Sequence, residues 1–146
     1  MDKFYITGTR RGLGQALSEH VDCVDTLKEC DIFINCKHDG FSQVELLYKA
    51  ASMNKRIINI GSHASDMVRH PEKKTYKYGV QKKALREANM QLFWNGVNTT
   101  CINFGFIDTP RVAHIDTEKM DVQYACYIIL WVVRQPHRIK DITVCP

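Results

Sequence analysis

Short apolar runs closed by turn residues alternate along the chain with stretches of helical period, and that alternation predicts a parallel α/β sheet. "KFYIT", from Lys3, reads as the first strand, and "GLGQALSEHV", from Gly12, as a helix entered through glycines. "CDIFINC" predicts a second strong strand between Cys30 and Cys36, and "FSQVELLYKAAS" places Val44, Leu47 and Ala51 on one helical face. "KRIINIGS" reads as the next strand, ending at Ser62. A polar loop from Ser65 to Lys74, carrying Pro71, leads into a long helix over roughly Thr75 to Asn95. "GVNTTCINFG" predicts another strand, a helix follows around "DVQYACYIILWVV", and "DITVC" closes the pattern as a short strand.

One interval is too short for the usual version of such a fold. Residues 15–30 alone separate Gly14 from the strand at Asp31, enough for one helix of about three turns and the connection "VDCVD". A full dinucleotide-binding fold places two more strands and another helix there. The expected architecture is therefore a Rossmann-like three-layer α/β fold with a reduced parallel sheet and helices on both faces. A chain of 146 residues, 45% hydrophobic, has room for one core and not comfortably for two, so residues 1–146 are expected to form a single domain.

Composition narrows the functional classes. A formal charge of +4, spread along the chain apart from Lys73–Lys83, favours anionic small ligands over a dedicated nucleic-acid binder. Tyr76 and Tyr78 could stack bases beside those lysines, which keeps a nucleic-acid surface as a minor reading. Six scattered cysteines without a CxxC or nearby paired histidines point to buried reduced thiols rather than disulfides or zinc, and no metal site is expected. Apolar stretches such as "YIILWVV" fall far short of the ~20 residues that cross a bilayer, and Met1-Asp2-Lys3 does not lead into a signal-peptide core. The expectation is a soluble cytoplasmic protein without membrane contact.

Candidate chemistry begins at "TGTRRGLG", Thr7 to Gly14, directly after the first strand and opening the first helix. Glycines there let the chain turn tightly and bring backbone N–H groups up to a pyrophosphate, whose charge a helix N-terminus favours. No lysine follows Gly14, so the turn is not a P-loop. Taken by itself the stretch also reads as an ordinary glycine-rich turn between strand and helix. Farther on, "INIGS" ends a strand at Ser62, "YGVQK" spans Tyr78 to Lys82, and "NFGFIDT" runs from Asn103 to Thr109.

In that order these stretches resemble the marks of the short-chain dehydrogenase/reductase family: TGxxxGxG, a serine after the mid-sheet strand, YxxxK, and a PG-x-x-x-T segment after the following strand. The ending "VVRQPHRIKDITVCP" is similar to that of family members too, so the resemblance covers nearly the whole chain. It implies an oxidoreductase that moves hydride between a nicotinamide and a small carbonyl or alcohol substrate.

Tyr78 and Lys82 are four residues apart and project from one face of a helix, where both can reach one ligand. A tyrosine, with a reference pKa of about 10, serves as an acid–base group near neutral pH only when a cation stabilises the phenolate. By resemblance, Tyr78 is the acid–base group, and Lys82 supplies that field and holds the nicotinamide ribose. Tyr76 has Val80 at the same offset and fails the test. Ser62, at the carboxyl end of a central strand, is the candidate to hold the substrate oxygen, with Ser65 as competitor and His63 beside it as a possible relay. The resemblance assigns Gly8, Arg10, Arg11, Gly12, Leu13 and Gly14 to the cofactor turn. It assigns Asn35, Gly105, Ile107 and Thr109 to the nicotinamide half.

The chain departs from the family at several positions. Phe104 stands where proline is usual, and in "INCKH" only Asn35 agrees with the family's N-N-A-G, so Lys37 and His38 replace small residues beside the cofactor. The asparagine many members carry in the next helix has no match, leaving Ser42, Gln43 and water to rebuild its relay. Arg10 and Arg11 suit a 2′-phosphate, so NADP(H) is expected ahead of NAD(H). Asp22 in "VDCVD" is either an adenine contact or a solvated turn acid. The alternative to an enzyme is a nucleotide-binding sensor or interaction module of the same fold with little catalysis. The resemblance further implies a homodimer or homotetramer, with Leu85, Met90 and Phe93, or Leu46 and Tyr48, at its interface.

Overall fold

A computed structural model describes residues 1–146. Six strands form one sheet: β1 Lys3–Ile6, β2 Asp22–Cys23, β3 Ile32–Asn35, β4 Arg56–Ser62, β5 Thr99–Phe104 and β6 Asp141–Val144. Their order is β2-β1-β3-β4-β5-β6, and every pair is parallel. After β1 the chain steps outward to β2, returns across β1 to β3, and then proceeds in one direction. The reversal makes the carboxyl ends of β1 and β3 the crevice where open α/β sheets take their ligands.

The helices divide by face. Helices α1 (Gly12–Ser18) and α4 (Val122–Arg134) bury Leu13, Leu17, Cys126, Ile129 and Val132 against Ile32, Ile34, Ile58 and Ile102. On the other face, α2 (Ser42–Ser52) and α3 (Lys77–Trp94) bury Leu47, Ala50, Leu85 and Ala88 against Phe33 and Ile57. Alternation along β3 and β4 sends successive side chains to opposite cores, as strand geometry requires. The three-layer architecture expected from the apolar pattern is the one formed.

Three details differ from the sequence expectation. The "VDCVD" connection is not wholly outside the sheet: Asp22 and Cys23 pair with Lys3 and Phe4 as a two-residue edge strand. Along α2 the buried stripe is Gln43, Leu47 and Ala50, with Val44 and Ala51 only half-buried, because Gln43 turns inward to polar partners. Leu85 is fully buried and Phe93 nearly so within this chain, so neither is free to face another subunit, and Tyr48 hydrogen-bonds Gln91 of α3.

The α2/α3 face of the sheet is partly polar. Asn35 and Asn59 lie opposite each other on β3 and β4, joined by Asn35 Nδ2 donating to Asn59 Oδ1 at 2.9 Å. Asn59 in turn donates to Asn89 Oδ1 of α3 at 3.0 Å and to Thr99 Oγ1 of β5 at 3.0 Å. This buried network continues upward to Lys82.

Candidate active site

The first strand ends at the glycine turn. Gly8 and Gly12 have φ of +78° and +65°, a region that side-chain-bearing residues rarely adopt. At Gly14 a Cβ would lie 2.1 Å from the Gly8 carbonyl oxygen, so the turn can close only on glycine. The Lys37 side chain, from the segment after β3, crosses against Gly8, its Cβ 3.1 Å from where a Gly8 Cβ would be. Thr7 ties the two strand ends together, its hydroxyl accepting from the N–H groups of Cys36 at 2.9 Å and Lys37 at 3.0 Å. Arg10 and Arg11 are exposed and enter no ion pair. Leu13 is buried in the α1 core, and Asp22 is exposed on the edge strand.

Ser62 ends β4, 8% exposed, with its hydroxyl accepting from the Ala64 N–H at 3.1 Å. The competing Ser65 is turned away, its hydroxyl taken by Arg86 Nη1 at 3.1 Å. His63 packs edge-on against Phe106, its Nδ1 buried without a partner.

Tyr78 and Lys82 lie in the first turns of α3. Between them Gly79 is required: a Cβ there would meet the Met67 carbonyl oxygen at 2.8 Å and the Tyr76 ring at 2.8 Å. Lys82 is only 3% exposed, and its ammonium lies 5.6 Å from the centre of the half-buried Tyr78 ring. That ammonium donates to Gln43 Oε1 and the Ile60 carbonyl, both at 2.9 Å. Gln43 is held by its own amide, which donates to the Asn35 carbonyl at 2.8 Å and the Ile60 carbonyl at 3.1 Å. Burial pushes the Lys82 pKa down to about 8, so at pH 7 the charge persists beside Tyr78.

The remaining candidates separate into two groups. Thr109 lies next to the glycine turn, its methyl 3.8 Å from where a Gly12 Cβ would be. Ile107 forms a lone parallel bridge with Met120, and Gly105 faces Cys145 and Pro146 at the end of β6. The Asn35 side chain points into the core, donating to the Gln43 carbonyl at 2.8 Å as well as to Asn59, with its own Oδ1 left unpartnered.

Two residues near Tyr78 were not among the candidate site residues. His38 sets its ring edge-on against Tyr78, with centroids 4.8 Å apart. Its pKa is lowered by burial first and then by the charges of Lys82 and Arg111, which favours the neutral imidazole. Arg111 holds its guanidinium 5.6 Å from the centre of the same ring. Its place two residues after Thr109 was the available signal; the rest is tertiary.

No protein-family model matches the chain, and no curated protein matches it. Solved structures do match. A short-chain dehydrogenase from Burkholderia cenocepacia J2315 in complex with NADP aligns with a TM-score of 0.70 at 17% identity, over 98% of this chain and 87% of that one. The 3-oxoacyl-[acyl-carrier protein] reductase from Brucella melitensis aligns at 0.72 and 13% identity, over 99% and 90%. An alcohol dehydrogenase from the archaeon Thermococcus sibiricus, complexed with 5-hydroxy-NADP, aligns at 0.67 and 12% identity, over 99% and 96%. The chain has the short-chain dehydrogenase fold, and the resemblance read from its motifs holds at that level.

Proposed function

We propose that this protein is an NADP(H)-preferring oxidoreductase that interconverts a carbonyl and an alcohol on a small molecule, using NAD(H) less well. The observation that carries the reading is the Lys82 ammonium, buried without a carboxylate and fixed by two carbonyl-type oxygens beside the Tyr78 ring. Burying a cation so is costly, and an ammonium held there in a merely structural role would gain little. As the field that stabilises a phenolate it has a purpose.

The chain's residues fit a nicotinamide dinucleotide. The glycine turn at the crevice is closed to side chains and ringed by Arg10, Arg11 and Lys37, a charge set suited to pyrophosphate and 2′-phosphate. When bound, that cofactor supplies the hydride that reaches the carbonyl carbon. Ser62 holds the substrate oxygen, and Tyr78 gives that oxygen its proton as the alcohol forms. Lys82 stabilises the phenolate left behind until solvent returns the proton. In the oxidising direction Tyr78 takes the proton back. The fold's solved neighbours bound to NADP support this choice of cofactor.

A fluorescence titration tests the cofactor half. NADPH is expected to bind at least about tenfold more tightly than NADH, the worth of one or two charge-assisted contacts. Replacing both Arg10 and Arg11 by Ala should abolish the difference. Equal affinities in the parent protein would contradict the preference.

A further inference from the structure

Arg111 stands out among the cations of this molecule because of where it is held. It rides on a short 3-10 turn, Pro110–Val112, in which proline fixes the first φ. That turn is closed by Val112 N–H to the Thr109 carbonyl at 3.1 Å and Ala113 N–H to the Pro110 carbonyl at 3.3 Å. The base of the segment is strapped by Met120 N–H to the Phe106 carbonyl at 2.7 Å and Asp108 N–H to the Met120 carbonyl at 2.8 Å. The backbone carrying Arg111 is therefore fixed, and its guanidinium sits over Tyr78 with no carboxylate within ion-pair distance.

Of the other groups facing that ring, Lys82 adds to the positive potential and His38 is a neutral imidazole. Lys82 lies as close to the ring centre as Arg111 does, and His38 meets its edge with Nδ1 buried and unpartnered. No carboxylate forms an ion pair with any of the three. The cations that suit the cofactor phosphates, Arg10, Arg11 and Lys37, belong to the glycine turn instead. A guanidinium recognises a planar carboxylate with two parallel hydrogen bonds, and the exposed Arg111 side chain is open to a ligand.

We infer that Arg111 forms an anion subsite beside Tyr78 and that the substrate is a carbonyl compound bearing a carboxylate on the carbonyl carbon itself or on the carbon next to it, a 2-oxo or 3-oxo acid. The inference rests on the oxidoreductase reading for the carbonyl, but the subsite itself is a matter of charge and position.

The test uses 2-oxobutanoate, 3-oxobutanoate and phenylpyruvate, each against its methyl ester, with the parent protein, Arg111→Gln and Arg111→Lys. Steady-state NADPH oxidation should show the best acid ahead of its ester by about tenfold to a hundredfold in kcat/KM, the worth of one bidentate charged contact. Arg111→Gln should bring that ratio close to one, and Arg111→Lys should keep part of it. Ligand-observed NMR of the same pairs on the same proteins, without turnover, reads the subsite independently of catalysis. Preference for the acid in binding, lost in Arg111→Gln, upholds the subsite even if no compound is reduced, in which case only the oxidoreductase reading fails. Equal binding of acid and ester by the parent protein overturns the subsite whether or not turnover occurs. An Arg111→Gln protein that keeps the acid preference but loses NADPH affinity also overturns it, because the guanidinium then serves the cofactor.

Discussion

Lys82 carries its charge into a place where only the oxygens of Gln43 and Ile60 meet it, and the pH dependence of stability should record the cost. Its folded pKa of about 8 lies below the ordinary lysine value of 10.5, so between those limits the unfolded chain binds a proton that the folded chain does not. Stability gained from this group is absent below pH 8 and grows as pH rises toward 10.5. Three thiols act in the opposite sense: Cys36 and Cys126 are pushed up to about 11 and Cys101 to about 12, chiefly by desolvation, so they lose stability as pH climbs through 9. Across the interval from pH 8 to 9 the unfolded thiols already begin to lose protons, so the Lys82 contribution is read there as a difference from Lys82→Met, which keeps the same thiols. Urea unfolding of the parent protein should gain about 1 kcal/mol across it relative to Lys82→Met, since one proton per pH unit is worth at most about 1.4 kcal/mol. Parallel profiles for the two proteins would show that the ammonium is not desolvated as described. Of this arrangement, the spacing of Tyr78 and Lys82 was legible in the sequence because a helix repeats every 3.6 residues or so. The role of Gln43 as direct partner of Lys82 was not, since apolar periodicity weighs only apolar positions and this polar residue occupies one of the buried ones.

Among the elements, α3 does the most to place the site, and Gly79 is the position where its docking can be challenged. Alanine would favour the helix by up to about 1 kcal/mol. Against that, its methyl would stand 2.8 Å from both the Met67 carbonyl oxygen and the Tyr76 ring, and a backbone carbonyl yields less readily than a flexible side chain. Overpacking of this kind costs about 1–3 kcal/mol, so the clash should win. Gly79→Ala is expected to lower Tm by about 3 °C or more in a calorimetric scan; a rise would mean that helix propensity outweighs the contact. Long elements such as α3 and β4 were legible to within a few residues, because each carries several periods of pattern. The edge strand at Asp22 and Cys23 was not, because two residues have no period and only pairing with β1 defines them. The turn that carries Arg111 was equally hidden: it is three residues long, and its meaning comes from Tyr78, far away in sequence.

At the scale of the molecule, the question is whether so shortened a sheet still holds a working site. The loss is confined to the β2 edge, while the crevice between β1 and β3, the central strands and both helical layers are intact. The far edge is secured by Arg86 of α3, which forms a two-pronged pair with Asp141 of β6, both contacts at 2.9 Å, and also reaches Asp66 and Ser65 below the Ser62 strand end. The reduction in strands could be read from the few residues between Gly14 and Asp31, whereas this cross-brace depends on residues that only the folded sheet brings together. Catalysis by Tyr78 is the claim on which the account turns, and it is tested by NADPH oxidation against a carbonyl panel for the parent protein and Tyr78→Phe, with NADPH affinity measured for both. Loss of the phenol proton should lower the rate by about 100-fold to 10,000-fold while leaving a folded protein that still binds the cofactor. Equal rates for the two proteins would contradict the account.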